Sequence, residues 1–268
     1  MKPTVISNEY LELQTQISNK QTEWTNSLEK STVVEKQSLQ HKQVPIIAQL
    51  TINVQFDQYK TWIIELADVL IEKDGNLLSD LTKIKTMLDE ATLMNWANEV
   101  LAFNQLYFQS FAEKNELPEW LPYFLAEHSL RPFLRVVSDV YRQELPNLNT
   151  KGSCPCCGEP IRLAVLEGKG LKMIVCPRCE AKWNQKRLHC SFCGNEDHQS
   201  LSYYTVENDK ASKLEVCGNC NSYIKVIDTR KLFKKQTVFL LDVTTIQLDF
   251  VAQENGFGVQ NEAEEMKS

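Results

Sequence analysis

The chain has 268 residues, of which 43% are hydrophobic and 24% are charged, and its formal net charge is −6. This composition excludes a disordered or fibrous chain and is typical of a folded protein with a sizeable core. The negative charge repels phosphate and argues against a dedicated nucleic-acid binder. No apolar run is long enough to span a bilayer and the N-terminus lacks the pattern of a signal peptide, so we expect a cytoplasmic protein without membrane insertion.

Residues 8 to about 145 show the apolar periodicity of α-helices. Apolar side chains recur every three or four positions in two clear runs, which are Tyr10, Leu13, Ile17, Trp24, Leu28 and Phe56, Tyr59, Ile63, Leu66, Leu70. We expect five to seven helices before the cysteines. Four prolines are expected to divide the last part of this region into short helices, namely Pro118, Pro122, Pro132 and Pro146.

From Gly152 the pattern changes to short β-rich runs. Residues 163–176 are typical of a strand, a glycine-containing turn and a second strand, and residues 201–217 repeat this scheme with a longer turn. Residues 238–257 indicate a strand or extended piece followed by a helix that ends at Gly256. The tail from Asn261 is acidic and polar.

These patterns predict an α+β fold. It consists of a helical N-terminal domain, two tandem rubredoxin-like or zinc-ribbon β-hairpin modules and a C-terminal helix. The predicted boundaries are 1–150 for the helical domain, 151–188 for the first ribbon, 189–235 for the second ribbon, and 236–268 for the C-terminal strand, helix and acidic tail.

All nine cysteines lie between Cys154 and Cys220. A reducing cytosol keeps thiols reduced, so this concentration indicates metal binding rather than disulfides. Eight cysteines form four Cys-x-x-Cys pairs, which are Cys154 with Cys157, Cys176 with Cys179, Cys190 with Cys193, and Cys217 with Cys220. One hairpin separates the first two pairs and another the last two, so we expect two closed four-cysteine sites. A cross-braced pairing of first with third and second with fourth is the alternative.

Two metal ions are therefore predicted, and an all-thiolate tetrahedron suits either zinc or rubredoxin-type iron. Gly158 and Gly194 follow the second cysteine of their pairs, where a positive φ lets the backbone N–H point at a sulfur. Asn221 is able to adopt the same conformation, whereas Glu180 does so only at a cost.

Three other groups of polar residues lie near the cysteines. Cys156 is a spare thiol, an alternative ligand or, if a metal lowers its pKa, a reactive group. His189 and His198 are expected to be surface neighbours rather than ligands. The basic residues nearest the ligands are expected to offset thiolate charge, and they are Arg178, Lys182, Lys186 and Arg187.

The cysteine region has little excess positive charge once its sites are counted. Residues 151–231 carry thirteen Lys or Arg against nine Asp or Glu, and eight thiolates with two divalent ions cancel that excess. The sequence also lacks a Gly-rich phosphate loop, a nucleophile elbow and a His-Glu-x-x-His helix. It therefore indicates a binding or assembly protein rather than an enzyme.

The motif order resembles one known family. CPCCGEP begins at Cys154, CPRC precedes Trp183, CSFC begins at Cys190, and CGNCNSYIKVID contains Tyr223, Lys225 and Asp228. Together with EHSLRPFLRVV and LDFVAQENGF, this arrangement closely resembles the formate dehydrogenase accessory protein family, the FdhE type, from about residue 124 to 257. The chain departs from the family pattern at Cys156 and in the short spacing from Gly158 to Pro160.

The resemblance implies a cytoplasmic, non-catalytic factor in the maturation of formate dehydrogenase that binds the molybdenum-containing catalytic subunit. It also implies that the eight paired cysteines hold rubredoxin-type iron. The alternatives are a redox-responsive thiol or metal-switch chaperone and a nucleic-acid-binding zinc ribbon. Trp183 and Tyr223 are interpreted as covers of a metal site or domain junction, with client contact as the alternative. The sequence is compatible with a monomer and with a homodimer.

Overall fold

The computed structural model describes residues 6–206 and 209–258. The chain forms two compact units. The helical unit contains Glu12–Gln37 and Leu50–Val140, and the sheet unit contains the segment up to Leu11, Ser38–Gln49 and the chain from Tyr141 onward. The predicted acidic tail from Asn261 lies outside the described residues.

The described residues that precede the cysteines form seven α-helices, which agrees with the expected number. Their bounds are α1 Asn8–Ser27, α2 Lys30–Val33, α3 Phe56–Lys73, α4 Leu78–Met87, α5 Glu90–Leu101, α6 Gln105–Lys114 and α7 Trp120–Val140. Aromatic rings from three of these helices form a core. Trp62 of α3 stacks on Trp24 of α1 at 5.4 Å and packs against Phe133 of α7 at 5.1 Å.

The prediction that prolines divide residues 118–146 into short helices is wrong, because α7 continues for 21 residues with Pro132 inside it. A proline inside a helix leaves the carbonyl four residues earlier without its usual N–H donor. Here that carbonyl belongs to His128, and the buried Gln21 side chain donates to it from α1 at 2.9 Å. A long-range side-chain hydrogen bond thus replaces the lost backbone bond.

His128 is held as a neutral imidazole. Gln21 Nε2 lies 3.2 Å from its Nδ1, and burial together with Arg131 and Arg135 lowers its pKa well below the usual value. The unfolded chain binds a proton at this residue near pH 6.5 whereas the folded chain does not, so stability falls as the pH falls below that value.

We therefore expect the helical unit to lose up to about 2 kcal/mol of stability between pH 6.5 and 5 through His128. Four of the five tryptophans lie in this unit, so urea denaturation followed by tryptophan fluorescence measures the effect. The variant His128→Leu should show a flatter pH dependence, while His41→Leu, which changes an exposed histidine, should not. An equal slope for His128→Leu and the unaltered chain would contradict the assignment.

The sheet unit contains a single six-stranded sheet within the described residues. Its strands are β1 Leu163–Glu167, β2 Leu171–Val175, β3 Lys182–Asn184, β4 Leu201–Thr205, β5 Ser212–Cys217 and β6 Tyr223–Asp228. Their order is β3-β2-β1-β6-β5-β4. Both predicted hairpins are present. Strand β6 lies between them, parallel to β1 of the first hairpin and antiparallel to β5 of the second. The two ribbons therefore share one continuous sheet, which the hairpin patterns alone did not predict.

One face of this sheet is covered by two C-terminal helices, α8 Val238–Thr244 and α9 Ile246–Glu254. Leu241 packs on β1 and β2 residues, and Leu248 packs on β5 and β6 residues. The strand or extended piece predicted at the start of this region is wrong, because Thr237 caps α8 through its side chain and starts a helix. The predicted stop is confirmed, since Gly256 has φ of 77° directly after α9.

In the described part of the chain, no helix combines the length and the apolar character that crossing a membrane requires.

Candidate metal centres

Each Cys-x-x-Cys pair forms a tight knuckle that repeats the same backbone bonds. The N–H of the first cysteine bonds the carbonyl five residues later at all four knuckles, with distances of 2.7–2.9 Å. The residue after the second cysteine has positive φ in every knuckle, and these residues are Gly158, Glu180, Gly194 and Asn221. Glu180 thus adopts the conformation that the sequence marked as costly, which shows how strongly the knuckle geometry is imposed.

The eight paired cysteines come together in the two expected sets. Cys154, Cys157, Cys176 and Cys179 form site 1, and Cys190, Cys193, Cys217 and Cys220 form site 2, with all sulfurs of a set within 4.8 Å of one another. Pairing is therefore first with second and third with fourth, not cross-braced.

The spacing of the sulfurs fits a tetrahedral metal. The Cys154–Cys179 and Cys157–Cys176 sulfurs are 3.6 Å apart in site 1, and the Cys190–Cys220 and Cys193–Cys217 sulfurs are 3.6 and 3.8 Å apart in site 2. A tetrahedron with metal–sulfur bonds of about 2.3 Å requires sulfur separations of about 3.8 Å. Both sets can therefore hold a zinc or iron ion with little rearrangement.

Site 1 is enclosed. All four of its cysteines are at most 3% exposed. The segment Ser38–Gln49 contributes to this cover, because Ile46 and Ile47 donate backbone bonds of 2.9 and 3.0 Å to the carbonyls of Pro155 and Cys156. A stretch more than a hundred residues earlier in the chain thus closes the first knuckle, and nothing in the cysteine pattern predicts this contact.

Site 2 lies at the surface. Cys193 is exposed and Cys220 is partly exposed. Two side-chain amides donate to its sulfurs, from Asn195 to Cys217 at 3.7 Å and from Asn219 to Cys193 at 3.6 Å. Although burial acts in the opposite direction, hydrogen bonds from the backbone N–H of Asn195, from the Asn219 side chain and from the neighbouring thiols lower the pKa of Cys193 to about 7. This exposed thiol is therefore prepared to ionise and to bind a metal.

The ninth cysteine belongs to neither set. Cys156 is fully buried. Its contact with Cys179 acts to lower its pKa, but burial and the neighbouring thiols outweigh this contact and the pKa is raised. The structure favours an inert spare thiol over a reactive one. His189 and His198 also lie outside both sets, in agreement with the expectation that they are not ligands.

Three of the four basic residues expected to offset thiolate charge have other partners. Lys182 pairs with Glu167, and Lys186 pairs with Glu196. Arg187 donates to the carbonyl of Gly170 at 3.1 Å. Arg178 lies beside site 1, because it is 1% exposed and its guanidinium lies 3.5 Å from the carbonyl of Cys157.

The residues that follow site 2 form a buried charge network with the C-terminal helices. Lys225 is 1% exposed, and its Nζ lies 2.8 Å from a carboxylate oxygen of both Asp242 and Asp249. Tyr223 donates to Asp249 at 2.9 Å, and Arg162 pairs with Asp242 at 2.8 Å. Burial acts to raise the pKa of Asp242, but Arg162 and Lys225 lower it overall.

This network explains part of the motif Tyr223, Lys225 and Asp228. The motif anchors α8 and α9 to the sheet, while Asp228 bonds Arg230 at 2.7 and 2.8 Å. Trp183 packs on the opposite sheet face against a cluster that includes Ile174 and Ile224. Both aromatic residues thus have packing roles within the sheet unit.

Comparison with known proteins gives related sequences for this region. Residues 188–264 match the model of the FdhE C-terminal domain. The chain is 32% identical over 152 residues to an FdhE homologue of Aquifex aeolicus, which covers 55% of this chain and 53% of that protein. It is 37% identical over 108 residues to an FdhE homologue of Edwardsiella ictaluri, covering 39% of this chain and 34% of that protein. The matched part is thus about half, or less, of each relative's length.

A solved structure resembles the whole architecture. The crystal structure of the FdhE protein from Pseudomonas aeruginosa superposes with a TM-score of 0.63 over 93% of this chain and 86% of that chain. Sequence identity in this superposition is 17%, so the comparison shows a shared α+β fold.

Proposed function

We propose that this chain, which is similar in sequence to the FdhE C-terminal domain and to FdhE homologues, is a member of the FdhE family and a non-catalytic accessory factor that binds the catalytic subunit of formate dehydrogenase in the cytoplasm during maturation. The observation that carries this proposal is the pair of four-cysteine sites within one sheet. In a closed all-thiolate site a metal has no open coordination position, which suits stabilisation or electron handling rather than hydrolysis.

We further propose that the eight clustered cysteines are metal ligands and that each site holds one iron or zinc ion. A divalent metal supplies folding free energy to loops that have little core of their own, and iron adds one-electron chemistry. The described knuckles support this role, since their backbone bonds and positive-φ residues arrange four sulfurs around one point.

A complementation experiment tests the accessory function. In a host that lacks its own accessory protein of this family, expression of the chain should restore formate dehydrogenase activity and should allow the catalytic subunit to be co-purified. Cys156→Ser, which changes the thiol outside both sites, should restore activity equally well. The proposal would be overturned if formate dehydrogenase activity stayed at the level of the host without the chain and if no catalytic subunit co-purified with the chain.

Metal analysis identifies the ion. Protein purified without oxygen should contain two metal ions per chain. Iron would give thiolate-to-iron charge-transfer bands that change on reduction, and zinc would give a colourless protein.

The different exposure of the two sites predicts two rates of metal release. Zinc-loaded protein mixed with excess chelator should lose one equivalent at least about tenfold faster than the other, because Cys193 and Cys220 of site 2 are accessible whereas site 1 is buried. A chromogenic chelator followed over time measures both phases. The Cys193→Ser variant should bind only the slowly released zinc ion of site 1, so the fast phase should be missing. A single phase of two equivalents would contradict the prediction.

The same exposure favours a second candidate function, a redox-responsive switch. An oxidant that converts the thiolates of site 2 to disulfides would release its metal while site 1 keeps its own. Mild hydrogen peroxide should then release one equivalent of zinc, and a thiol reductant should restore binding. This candidate is distinguished from the first because it requires client affinity to change when site 2 is oxidised.

A further inference from the structure

A cavity of about 370 Å³ lies on the sheet face that α8 and α9 do not cover. Its apolar walls include Leu166, Phe192, Leu201 and Ile224. Two cysteines of site 2, Cys190 and Cys217, border one end. The cavity therefore connects the exposed metal site with the open face of the sheet.

The other end of the cavity is basic. Lys172, Arg187 and Lys213 line it, with Glu215 as the acidic residue among the lining side chains. Glu215 pairs with both lysines, at 2.8 Å in the case of Lys213. One carboxylate thus pairs with two ammonium groups. The guanidinium of Arg187 adds a third positive charge, so positive charge exceeds negative charge among these side chains.

This basic end is separated from the thiolates of site 2. Lys213 and Cys217 are four residues apart along β5, which corresponds to about 13 Å at the rise of a strand. Charges at that distance are largely screened at physiological salt, where the Debye length is about 8 Å. A carboxylate at the basic end would meet the lysines and Arg187 with little repulsion from the metal site.

The edge of the sheet adjoins the same cavity. In the described residues no strand pairs with the outer side of β4. Tyr203 of β4 is 67% exposed and lines the cavity. The centre of its ring lies 5.1 Å from the Lys213 ammonium. A peptide strand added to β4 would direct alternate side chains over this face.

We propose that an extended acidic segment of the client adds to the outer edge of β4 and places a carboxylate side chain at the basic end of this cavity. This inference rests on the proposed function, because the client is the catalytic subunit of formate dehydrogenase. Binding there also covers the side of site 2 on which Cys190 and Cys217 border the cavity.

The test measures binding of purified catalytic subunit to the full-length, metal-loaded chain by biolayer interferometry. The double variant Arg187→Glu, Lys213→Glu should bind at least tenfold more weakly. The matched double variant Lys169→Glu, Lys235→Glu changes two exposed lysines outside the cavity and should bind within twofold of the unaltered chain. Two metal ions in every protein establish that the variants are folded.

A second measurement does not depend on charge reversal. A photo-crosslinking phenylalanine analogue at position 203 should capture the client, and the same analogue at exposed Leu78 of α4 should not. Equal affinity of both double variants would overturn the docking surface while leaving the accessory function intact. Absence of any binding by the unaltered chain would overturn both. A crosslink from position 203 only to the chain's own segment after Gly258 would make that segment the occupant and overturn the proposal.

Discussion

Replacement of Cys190 by serine is expected to reduce the metal content from two ions to one and to unfold the surroundings of site 2. Structural metal binding contributes on the order of 10–16 kcal/mol, and the knuckles at Cys190 and Cys217 have little core to replace it. The hairpin of β4 and β5 should lose protection against hydrogen exchange, whereas β1 and β2 should keep theirs because site 1 remains intact. Binding of the client should be abolished.

Cys156→Ser is the matched control for this experiment. Cys156 is as buried as the cysteines of site 1 and contacts Cys179, but it belongs to neither four-cysteine set. This variant should retain two metal ions, and its stability should change only through burial of a hydroxyl. A Cys190→Ser protein that keeps two metal ions, unchanged exchange in β4 and β5 and full client binding would show that Cys190 is not required for metal binding or for the fold around site 2.

Replacement of Lys225 by methionine is expected to destabilise the sheet unit by about 3–5 kcal/mol. The change leaves Asp242 and Asp249 without the ammonium group that now lies 2.8 Å from each. Arg162 still pairs with Asp242, so Asp249 suffers the larger loss. Urea denaturation of the zinc-loaded protein measures the change, and hydrogen exchange should show that α8 and α9 detach from the sheet.

Two further variants test whether charge pairing causes that loss. Lys235→Met removes an exposed lysine and should change stability by no more than about 0.5 kcal/mol. Adding Asp249→Asn to Lys225→Met should recover part of the stability, because it removes the uncompensated charge. Equal destabilisation by Lys225→Met and Lys235→Met would show that the buried pairs do not stabilise the unit.

The sequence by itself determined the four knuckles and both hairpins, and it favoured the observed pairing over a cross-braced one. The reason is that each of these features is local, since a Cys-x-x-Cys turn and a short hairpin are specified by residues within about 25 positions. The helical N-terminal region was likewise evident from its apolar periodicity. Gly158, Gly194 and Asn221 take the positive φ that their side chains allow.

The contacts between residues that lie far apart in the chain were decided only by the tertiary structure. Gln21 allows α7 to continue through Pro132 by bonding the carbonyl of His128, although 107 residues separate the two side chains. Parallel pairing of β1 with β6 joins the two ribbons, and Ile46 and Ile47 cover the first knuckle. These contacts depend on backbone and side-chain groups that become neighbours only after folding, so no local pattern distinguishes the enclosed site 1 from the exposed site 2.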